Sequence, residues 1–275
     1  MRRLGVLCFL VACGPANRNG TNDPDAARPV DTSSTSDTGA TPSQSRVYAH
    51  SGGTLYRVDT TTFAPVMVGA MTALGTQSLT DLAIDKNDQM VGITLNTLYS
   101  IDPNTAVVTL VKNLSASATG FTSLSYIPSN LDDPNSTDIL VSANDKGDVY
   151  QIDPVTGNAT MLGSYGTAAG GKVVSSGDLI GVRGLGIYAT VDVGTGTLDY
   201  LAKIDPATWK ATPLPSATGF NQIFGLGYWA GTIYGFTKGG DFIKIDPTSG
   251  VGTKLNSGAV QWYGAGVSTD APIIF

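Results

Sequence analysis

Along this chain, short runs of alternating apolar and polar residues end repeatedly in an aspartate. In residues 149–153, VYQID, Tyr150 and Ile152 face one side of an extended strand, whereas Val149 and Gln151 face the other. The Asp-Pro-x-Thr-Gly turn that follows favours a hairpin, because proline fixes φ, aspartate accepts a backbone N–H and glycine tolerates a positive φ. A second short strand, NATMLG, then returns. The pattern predicts a β-hairpin.

This hairpin pattern occurs five times. The copies align on their aspartates at intervals of 43, 51, 52 and 41 residues, and these anchors are Asp59, Asp102, Asp153, Asp205 and Asp246. Two more strand patterns precede the later hairpins, as FTSLSYI and DILVSAN do before the third copy. Four short strands in a repeat of about 40–50 residues are typical of β-propeller blades. The sequence therefore predicts an all-β, five-bladed propeller of four-stranded blades over residues 46–275.

The two ends of the repeat region are expected to share one blade. The first copy begins at RVYAHS and lacks an opening strand, whereas residues 262–269, WYGAGVST, match the opening strands of the other copies. A C-terminal strand that pairs with the N-terminal blade closes the ring and removes its free edge. We therefore expect Val267 and Tyr48 to lie in one sheet.

The repeated lines also resemble those of known families. Lines of the form LYxIDPxTG are similar to those of bacterial quinoprotein-like and YVTN-type β-propellers, and the resemblance covers residues 46–275. It implies the fold but no activity, because propellers carry many functions. The tryptophan-docking repeats of true quinoproteins are absent, so the resemblance implies no quinone cofactor.

The first 45 residues follow a different pattern. Arg2 and Arg3 precede an apolar stretch, residues 4–12, that is too short to span a bilayer and has the form of a signal peptide. It ends in Leu-Val-Ala-Cys, which resembles the bacterial lipobox, and this implies that residues 1–12 are removed and that Cys13 carries acyl chains such as palmitate. Residues 13–45 are then a lipidated cysteine and a polar linker, predicted to be disordered for lack of apolar periodicity.

The lipobox resemblance also predicts a location. Such a lipoprotein belongs to the bacterial cell envelope outside the cytoplasm, and its membrane partner is reached through the lipid on Cys13. Gly14 favours the outer membrane over the inner one by the enterobacterial sorting rule. The other cysteine, Cys8, lies within the signal peptide, so the mature chain is expected to have no disulfide.

Composition excludes several kinds of chemistry. The net charge is −6 and lysines and arginines do not cluster, which excludes a nucleic-acid partner. His50 is the only histidine, so a His/Cys metal centre is excluded and any Ser-His-Asp triad would depend on that residue. All 22 acidic residues are aspartates.

The aspartates themselves suggest three interpretations. The five hairpin aspartates are expected to cap their own turns. Asp81 and Asp178 lie in or beside inner-strand segments, where two carboxylates can act as the acid–base pair of a furanosidase-type hydrolase, although such enzymes usually take Glu as the acid and this chain has none. Residues 85–88 and 144–148 place oxygen ligands close together and leave calcium as an alternative, but neither matches an EF-hand loop. We predict no other metal or cofactor.

The loops that lead into the inner strands should emerge together at one end of the ring, where propellers usually bind ligands. They offer amides and aromatic rings, which suit a neutral polar ligand such as a glycan, or a protein surface. Alternatively, the rings pack between blades and the amides bond to loop backbone. The candidate binding residues are Gln77, Phe121, Tyr165, Phe220, Asn221, Gln222, Gln261 and Trp262.

We therefore expect a lipid-anchored, non-catalytic envelope protein that binds or scaffolds a glycan or an envelope protein. Two alternatives stay open: a carbohydrate-active hydrolase with inner-strand aspartates, and a structural envelope component without a ligand. A hydrolase requires carboxyls about 5–9.5 Å apart and open to a central cleft. A binding protein requires an exposed patch of rings and amides on the loop face.

Overall fold

Five antiparallel sheets make up the structure, a computed structural model that describes residues 46–115 and 118–269. These residues belong to one compact unit, residues 42–275. The signal peptide, the lipidated Cys13 and the linker predicted for residues 1–45 lie outside the described residues, and they stay predictions.

The strands follow one another in the order expected of repeated four-stranded units. In chain order they are β1 (Val47–His50), β2 (Thr54–Val58), β3 (Pro65–Ala70), β4 (Asp81–Ile84), β5 (Met90–Ile93), β6 (Thr97–Ile101), β7 (Val108–Asn113), β8 (Ser125–Pro128), β9 (Asp138–Ala143), β10 (Asp148–Ile152), β11 (Ala159–Ser164), β12 (Thr167–Ala168), β13 (Gly171–Val182), β14 (Gly186–Val193), β15 (Tyr200–Ile204), β16 (Ala211–Pro213), β17 (Ile223–Trp229), β18 (Thr232–Thr237), β19 (Asp241–Ile245), β20 (Gly252–Ser257) and β21 (Gly264–Val267). From the axis outward, blade 1 is β21-β1-β2-β3, blade 2 is β4 to β7, blade 3 is β8 to β11, blade 4 is β13 to β16 and blade 5 is β17 to β20.

The ring closes where the sequence predicts it. Strand β21 pairs antiparallel with β1, with Val47 opposite Val267 and Tyr48 opposite Gly266. Blade 1 therefore takes its inner strand from the C-terminal end and its other three strands from the N-terminal end. The fold-class prediction, a five-bladed propeller of four-stranded blades, is confirmed.

The hydrophobic core lies between blades rather than within a single layer. Neighbouring inner strands contact each other in sequence around the axis, from β21 to β4, β8, β13 and β17 and back to β21. The buried apolar side chains of the described residues form five clusters, each between two adjacent blades. Strands such as β4, β5 and β1 are buried along their whole length, because both faces of each sheet are covered by a neighbouring blade.

Each hairpin aspartate caps its own turn, as predicted. Asp153 Oδ1, for example, accepts the N–H groups of Val155 (2.8 Å) and Thr156 (3.0 Å), and the other four aspartates accept the equivalent pair. Gly157 has the expected positive φ of 68°. Its equivalents in other blades include Phe63 and Trp209, at 60° and 61°, so the turn is imposed there on residues that do not favour it.

Blade 4 differs from the prediction in one segment. The segment GSYGTAAGGKVV is one of the loops that the sequence predicts to lead from an outermost strand into the next inner strand. The structure instead forms the short strand β12, which pairs with the first residues of a long β13. Strand β13 then continues to Val182 with a register shift between Ser175 and Leu179. This shift places Asp178 at the axis.

Helical structure is minimal. Thr72–Leu74 forms one turn of 3-10 helix, and residues 46–115 and 118–269 contain no α-helix. Within these ranges, therefore, no helix has the length and hydrophobicity that crossing a membrane requires.

Candidate functional site

The eight candidate binding residues lie at the end of the ring where the inner strands begin. We call this end the entry face and the opposite end the exit face. The entry face also carries the hairpins between the second and third strands of each blade, such as Thr237–Asp241 in blade 5, where the N–H of Asp241 donates to Thr237 Oγ1 (2.9 Å). The candidates thus share a face, although burial separates them into two groups.

Three of the predicted aromatic residues are buried. Phe121 packs edge-on against Tyr150, with ring centroids 5.5 Å apart, and Trp262 packs edge-on against Tyr56 (5.5 Å) and Phe236 (5.8 Å). Tyr165 lies in the core between blades 3 and 4. These side chains are not accessible to a ligand in this structure, and they pack between blades as the alternative interpretation holds.

The predicted amides are exposed. Gln77, Asn221, Gln222 and Gln261 all reach solvent at the entry face, and Phe220 is half-buried. Gln222 has a positive φ of 54°, and its carbonyl accepts the N–H of Lys238 (2.9 Å). The loop before β17 is therefore joined to the β18–β19 hairpin.

Beside these amides lie three side chains that the sequence analysis did not select. Phe224 and Tyr263 are half-buried, with ring centroids 6.3 Å apart, and Lys238 Nζ lies 5.6 Å from the centroid of Tyr263. Phe224 and Tyr263 directly follow Ile223 and Trp262, which are buried. Because side chains alternate along a strand, burial of one residue turns the next outward. We call Gln222, Phe224, Lys238, Gln261 and Tyr263 the entry-face cluster.

Further along the axis, one residue in or just before each inner strand forms a layer. Its members are Asp81, Ser123, Asp178, Gly225 and Gly264. Asp81 Oδ1 accepts the N–H of Leu82 (2.8 Å), and its Oδ2 accepts the N–H of Leu124 in the next blade (2.7 Å). This layer thus connects neighbouring blades through carboxylate–amide hydrogen bonds.

Asp178 repeats the arrangement two blades away. Its Oδ1 accepts the N–H of Leu179 (2.6 Å) and its Oδ2 accepts that of Leu226 in blade 5 (2.7 Å). The Asp81 and Asp178 carboxyls are also hydrogen-bonded to each other across the axis. Burial raises the pKa of both carboxyls, and for Asp81 the nearby Asp178 carboxylate raises it further. A proton shared between the two carboxyls would relieve the repulsion of two buried negative charges.

His50 borders the same layer. Its side chain is fully buried, and its Nδ1 donates to the carbonyl of Ser51 (2.9 Å), since a carbonyl can only accept. Nε2 is left without a hydrogen-bond partner. Burial lowers the pKa of His50 to about 4, so the imidazole is neutral at physiological pH.

The axial aspartates do not have the geometry of a glycosidase. A retaining or inverting pair needs carboxyls roughly 5–9.5 Å apart with room for a sugar or a water between them. Asp81 and Asp178 are instead in direct hydrogen-bond contact and fully buried. The hydrolase alternative therefore finds no support at this pair.

The two oxygen-rich loops are turns. Asn144 Oδ1 accepts the N–H groups of Lys146 (3.0 Å) and Asp148 (2.8 Å), and Asp85 Oδ1 accepts those of Asn87 and Gln89 (both 2.8 Å). Across the described part of the chain, His, Cys, Asp and Glu side chains form no group of three or more that could hold a metal ion. The loops thus give the calcium alternative no structural support.

Two cavities open at the exit face. A pocket of about 60 Å³ is lined by the far halves of the inner strands, including Tyr126 and Tyr228, and a groove of about 770 Å³ between blades 3 and 4 is lined by apolar residues such as Leu185 and Trp209. Arg183 at the pocket edge pairs with Asp138 (3.3 Å), so it joins blade 4 to blade 3. The groove lining also includes the Asn130 amide and Lys203, but its one aromatic ring, Trp209, is buried, whereas the entry-face cluster has two half-buried rings.

Comparison with known proteins gives fold-level similarity only. No protein-family model and no curated protein matches the sequence. The structure is similar to a chain of the nidogen/laminin complex, with a TM-score of 0.52 and 9% identity over 83% of this chain and 100% of that chain. It is also similar to a symmetrical protein whose de novo evolutionary emergence is shaped by folding constraints, with a TM-score of 0.50 and 14% identity over 80% of this chain and 97% of that one. At these identities the similarity supports the propeller fold and nothing more specific.

Proposed function

We propose that this protein is a non-catalytic binding module of the bacterial cell envelope that presents its entry face to a glycan. The observation that carries the proposal is the entry-face cluster. There, the half-buried rings of Phe224 and Tyr263 lie with the exposed amides of Gln222 and Gln261 at the start of the inner strands β17 and β21. Lys238 adds a cation over the tyrosine ring.

This combination fits the chemistry of a sugar. The apolar C–H face of a pyranose packs on an aromatic ring, and its hydroxyls need donors and acceptors, which an amide supplies together. Strands β17 and β21, to which the two rings belong or are adjacent, are fixed in the closed ring, and this reduces the entropy lost on binding. A protein partner, the other expectation from the sequence, also fits a ring-and-amide surface and is an outcome of the test below.

Two further parts of the proposal come from the sequence alone. The lipobox-like Leu-Val-Ala-Cys motif supports acylation of Cys13, and the polar residues 14–45 support a flexible connection between the lipid and the propeller. As a coil, such a linker separates its ends by about 30 Å, which holds the propeller away from the bilayer surface. Loss of membrane association in a Cys13→Ser variant is the direct test of this part.

The binding test uses the full-length protein in mild detergent against a glycan array and extracts of envelope proteins. We expect a glycan ligand whose affinity falls at least about tenfold in Tyr263→Ala, which removes one aromatic contact worth about 1.4 kcal/mol or more. A smaller loss is expected in Gln222→Ala. Val155→Ala is the matched control, since that side chain is exposed at a turn on the exit face.

Each result decides between the functions. Unchanged glycan binding in both variants would place the site elsewhere. Binding of an envelope protein alone would favour the scaffold function, and no binding of either class would leave a structural component.

A further inference from the structure

Asp199 holds the entry-face segment that carries two of the exposed amides. The residue precedes β15 and is almost completely buried. Its backbone N–H donates to the carbonyl of Phe220 (2.9 Å), and its carbonyl accepts both the N–H (2.9 Å) and the hydroxyl (2.8 Å) of Thr218. One end of residues 218–223 is thus fixed by backbone hydrogen bonds.

The side chain of Asp199 holds the other end. Its Oδ2 accepts the N–H of Ile223, the first residue of β17, at 2.7 Å, and the backbone N–H of Gln222 lies close enough to the carboxyl to lower its pKa. Asp199 thus contacts both ends of residues 219–222, and blade 5 adds hydrogen bonds from the Gly252 N–H to the Thr218 carbonyl and from the Lys238 N–H to the Gln222 carbonyl (both 2.9 Å). We call residues 218–223 the Asp199 segment.

The Asp199 segment contains two residues in the left-handed backbone region. Gly219 and Gln222 both have positive φ, 83° and 54°, and the latter is unfavourable for a residue with a side chain. Space is open around Gly219, with no atom within 4 Å of an added Cβ. Because the carbonyl of Gln222 accepts the N–H of Lys238, a shift of this segment also displaces the lysine of the entry-face cluster.

The Asp199 carboxyl titrates in the neutral range. Burial is the main cause that raises its pKa to about 7, and the charge of Asp192 on β14 is the facing group that raises it further. The hydrogen bonds from Ile223 and Gln222 act in the opposite direction but do not outweigh burial. If the segment opens, water reaches the carboxyl and its pKa returns towards 3.8.

We propose that the Asp199 segment is a pH-controlled element that is closed over the protonated carboxyl in mildly acidic conditions and opens when the carboxyl ionises. The sign follows from linkage, since the conformation with the higher proton affinity is favoured at low pH and loses population as pH rises. Resting on the proposed function, this predicts that the entry face binds its ligand more tightly at pH 5 than at pH 8.

Hydrogen exchange of the full-length protein tests the element without any ligand. We expect protection factors of the Gln222 and Ile223 amides, corrected for intrinsic exchange, to fall at least about tenfold from pH 5 to pH 8, since one unit of pKa difference corresponds to a factor of ten. In Asp199→Asn the protection should no longer depend on pH. The control Asp241→Asn, in the neighbouring hairpin, should keep the wild-type dependence.

A second variant covers a folding failure of Asp199→Asn. Asp192→Asn removes the neighbouring negative charge, lowers the pKa of Asp199 and should move the transition to lower pH. Equal protection at both pH values in the wild type, or an unmoved transition in Asp192→Asn, overturns the proposal. A failed glycan screen with pH-dependent protection intact would contradict the proposed function and leave the element standing.

Discussion

Two sets of aspartates in this propeller accept backbone hydrogen bonds in opposite environments. The first set is the five hairpin aspartates, which are exposed and bond to amides two and three residues ahead. Those hydrogen bonds lower the pKa of Asp153, and similar bonds lower that of Asp59, Asp102 and Asp246. Each stabilises one local turn.

The second set consists of Asp81, Asp178 and Asp199. Each accepts an amide at 2.7 Å from a residue 24 to 48 positions away. Because these carboxyls are buried, desolvation raises their pKa despite the hydrogen bonds. The same kind of hydrogen bond therefore lowers the pKa of an exposed carboxyl, whereas at a buried carboxyl desolvation outweighs it and the pKa rises.

The largest expected effect comes from removing an axial carboxyl. Asp178→Ala leaves the buried N–H groups of Leu179 and Leu226 without an acceptor, and each costs roughly 1–3 kcal/mol. We expect the free energy of unfolding in urea, followed by tryptophan fluorescence, to fall by about 2–6 kcal/mol. Asp178→Asn keeps an acceptor and should lose much less. Equal losses in the two variants would show that volume rather than hydrogen bonding matters there.

The next effect is the dependence of stability on pH. A buried acid with a raised pKa stabilises the fold fully below its unfolded pKa of about 3.8, and this contribution is lost as pH rises through the folded pKa. For Asp199, with a folded pKa of about 7, the loss amounts to at most about 4 kcal/mol between pH 4 and pH 7. Urea titrations at several pH values should show stability falling over this window, with a shallower slope in Asp199→Asn.

The exposed hairpin aspartates change the stability with pH in the opposite direction. A lowered folded pKa contributes stability above pH 3.8 that is lost as pH falls through the folded pKa. We therefore expect maximal stability near pH 4–5, between the two windows. A stability maximum at pH 7 or above would contradict the raised pKa of the buried carboxyls.

A smaller effect is expected from crowding the axial layer. A Cβ at Gly264 would lie 2.3 Å from Asp81 Oδ1 and 2.6 Å from His50 Nε2, whereas a Cβ at Gly53 in the same blade meets nothing within 4 Å. Gly264→Ala should lower the free energy of unfolding by about 1–3 kcal/mol. Gly53→Ala is the matched control and should have little effect. If both behave alike, the axis is less tightly packed than the structure shows.

The smallest effect belongs to a single hairpin aspartate. Asp153→Ala removes two exposed hydrogen bonds in one of five equivalent turns, and solvent replaces them. Its denaturation midpoint should fall less than that of any axial variant, and Asp153→Asn should lie between Asp153→Ala and the wild type. A loss in Asp153→Ala as large as in Asp178→Ala would remove the distinction between the two sets.

The fold was predictable because its signals are local and repeated. Alternation in lines such as VYQID, and the turn chemistry of Asp153 to Gly157, specify a hairpin without reference to any other part of the chain. The match of residues 262–269 to the other opening strands then located the ring closure between Val47 and Val267. Only the added strand β12 was not predicted, because the glycines that flank it favour a loop and the strand forms only by pairing with β13.

The candidate site was predictable in position but not in its side chains. The loops around Gln222 and Gln261 do reach the entry face, but Trp262 turns inward and Tyr263 outward. A strand pattern gives alternation, but which side is covered depends on the neighbouring blade. The role of Asp199 was not predictable either, because the residues TLDY around it do not show that the N–H of Ile223 will donate to its carboxyl.

By itself, the sequence determined the number of blades, the hairpin at each aspartate and the strand shared by the two ends, because each depends on contacts between residues close in the chain or on repetition of one pattern. Tertiary structure alone decided which carboxyls are buried and which aromatic rings stay exposed to solvent. Protonation and exposure depend on what packs against a group, and at the axis and the entry face the neighbours come from other blades.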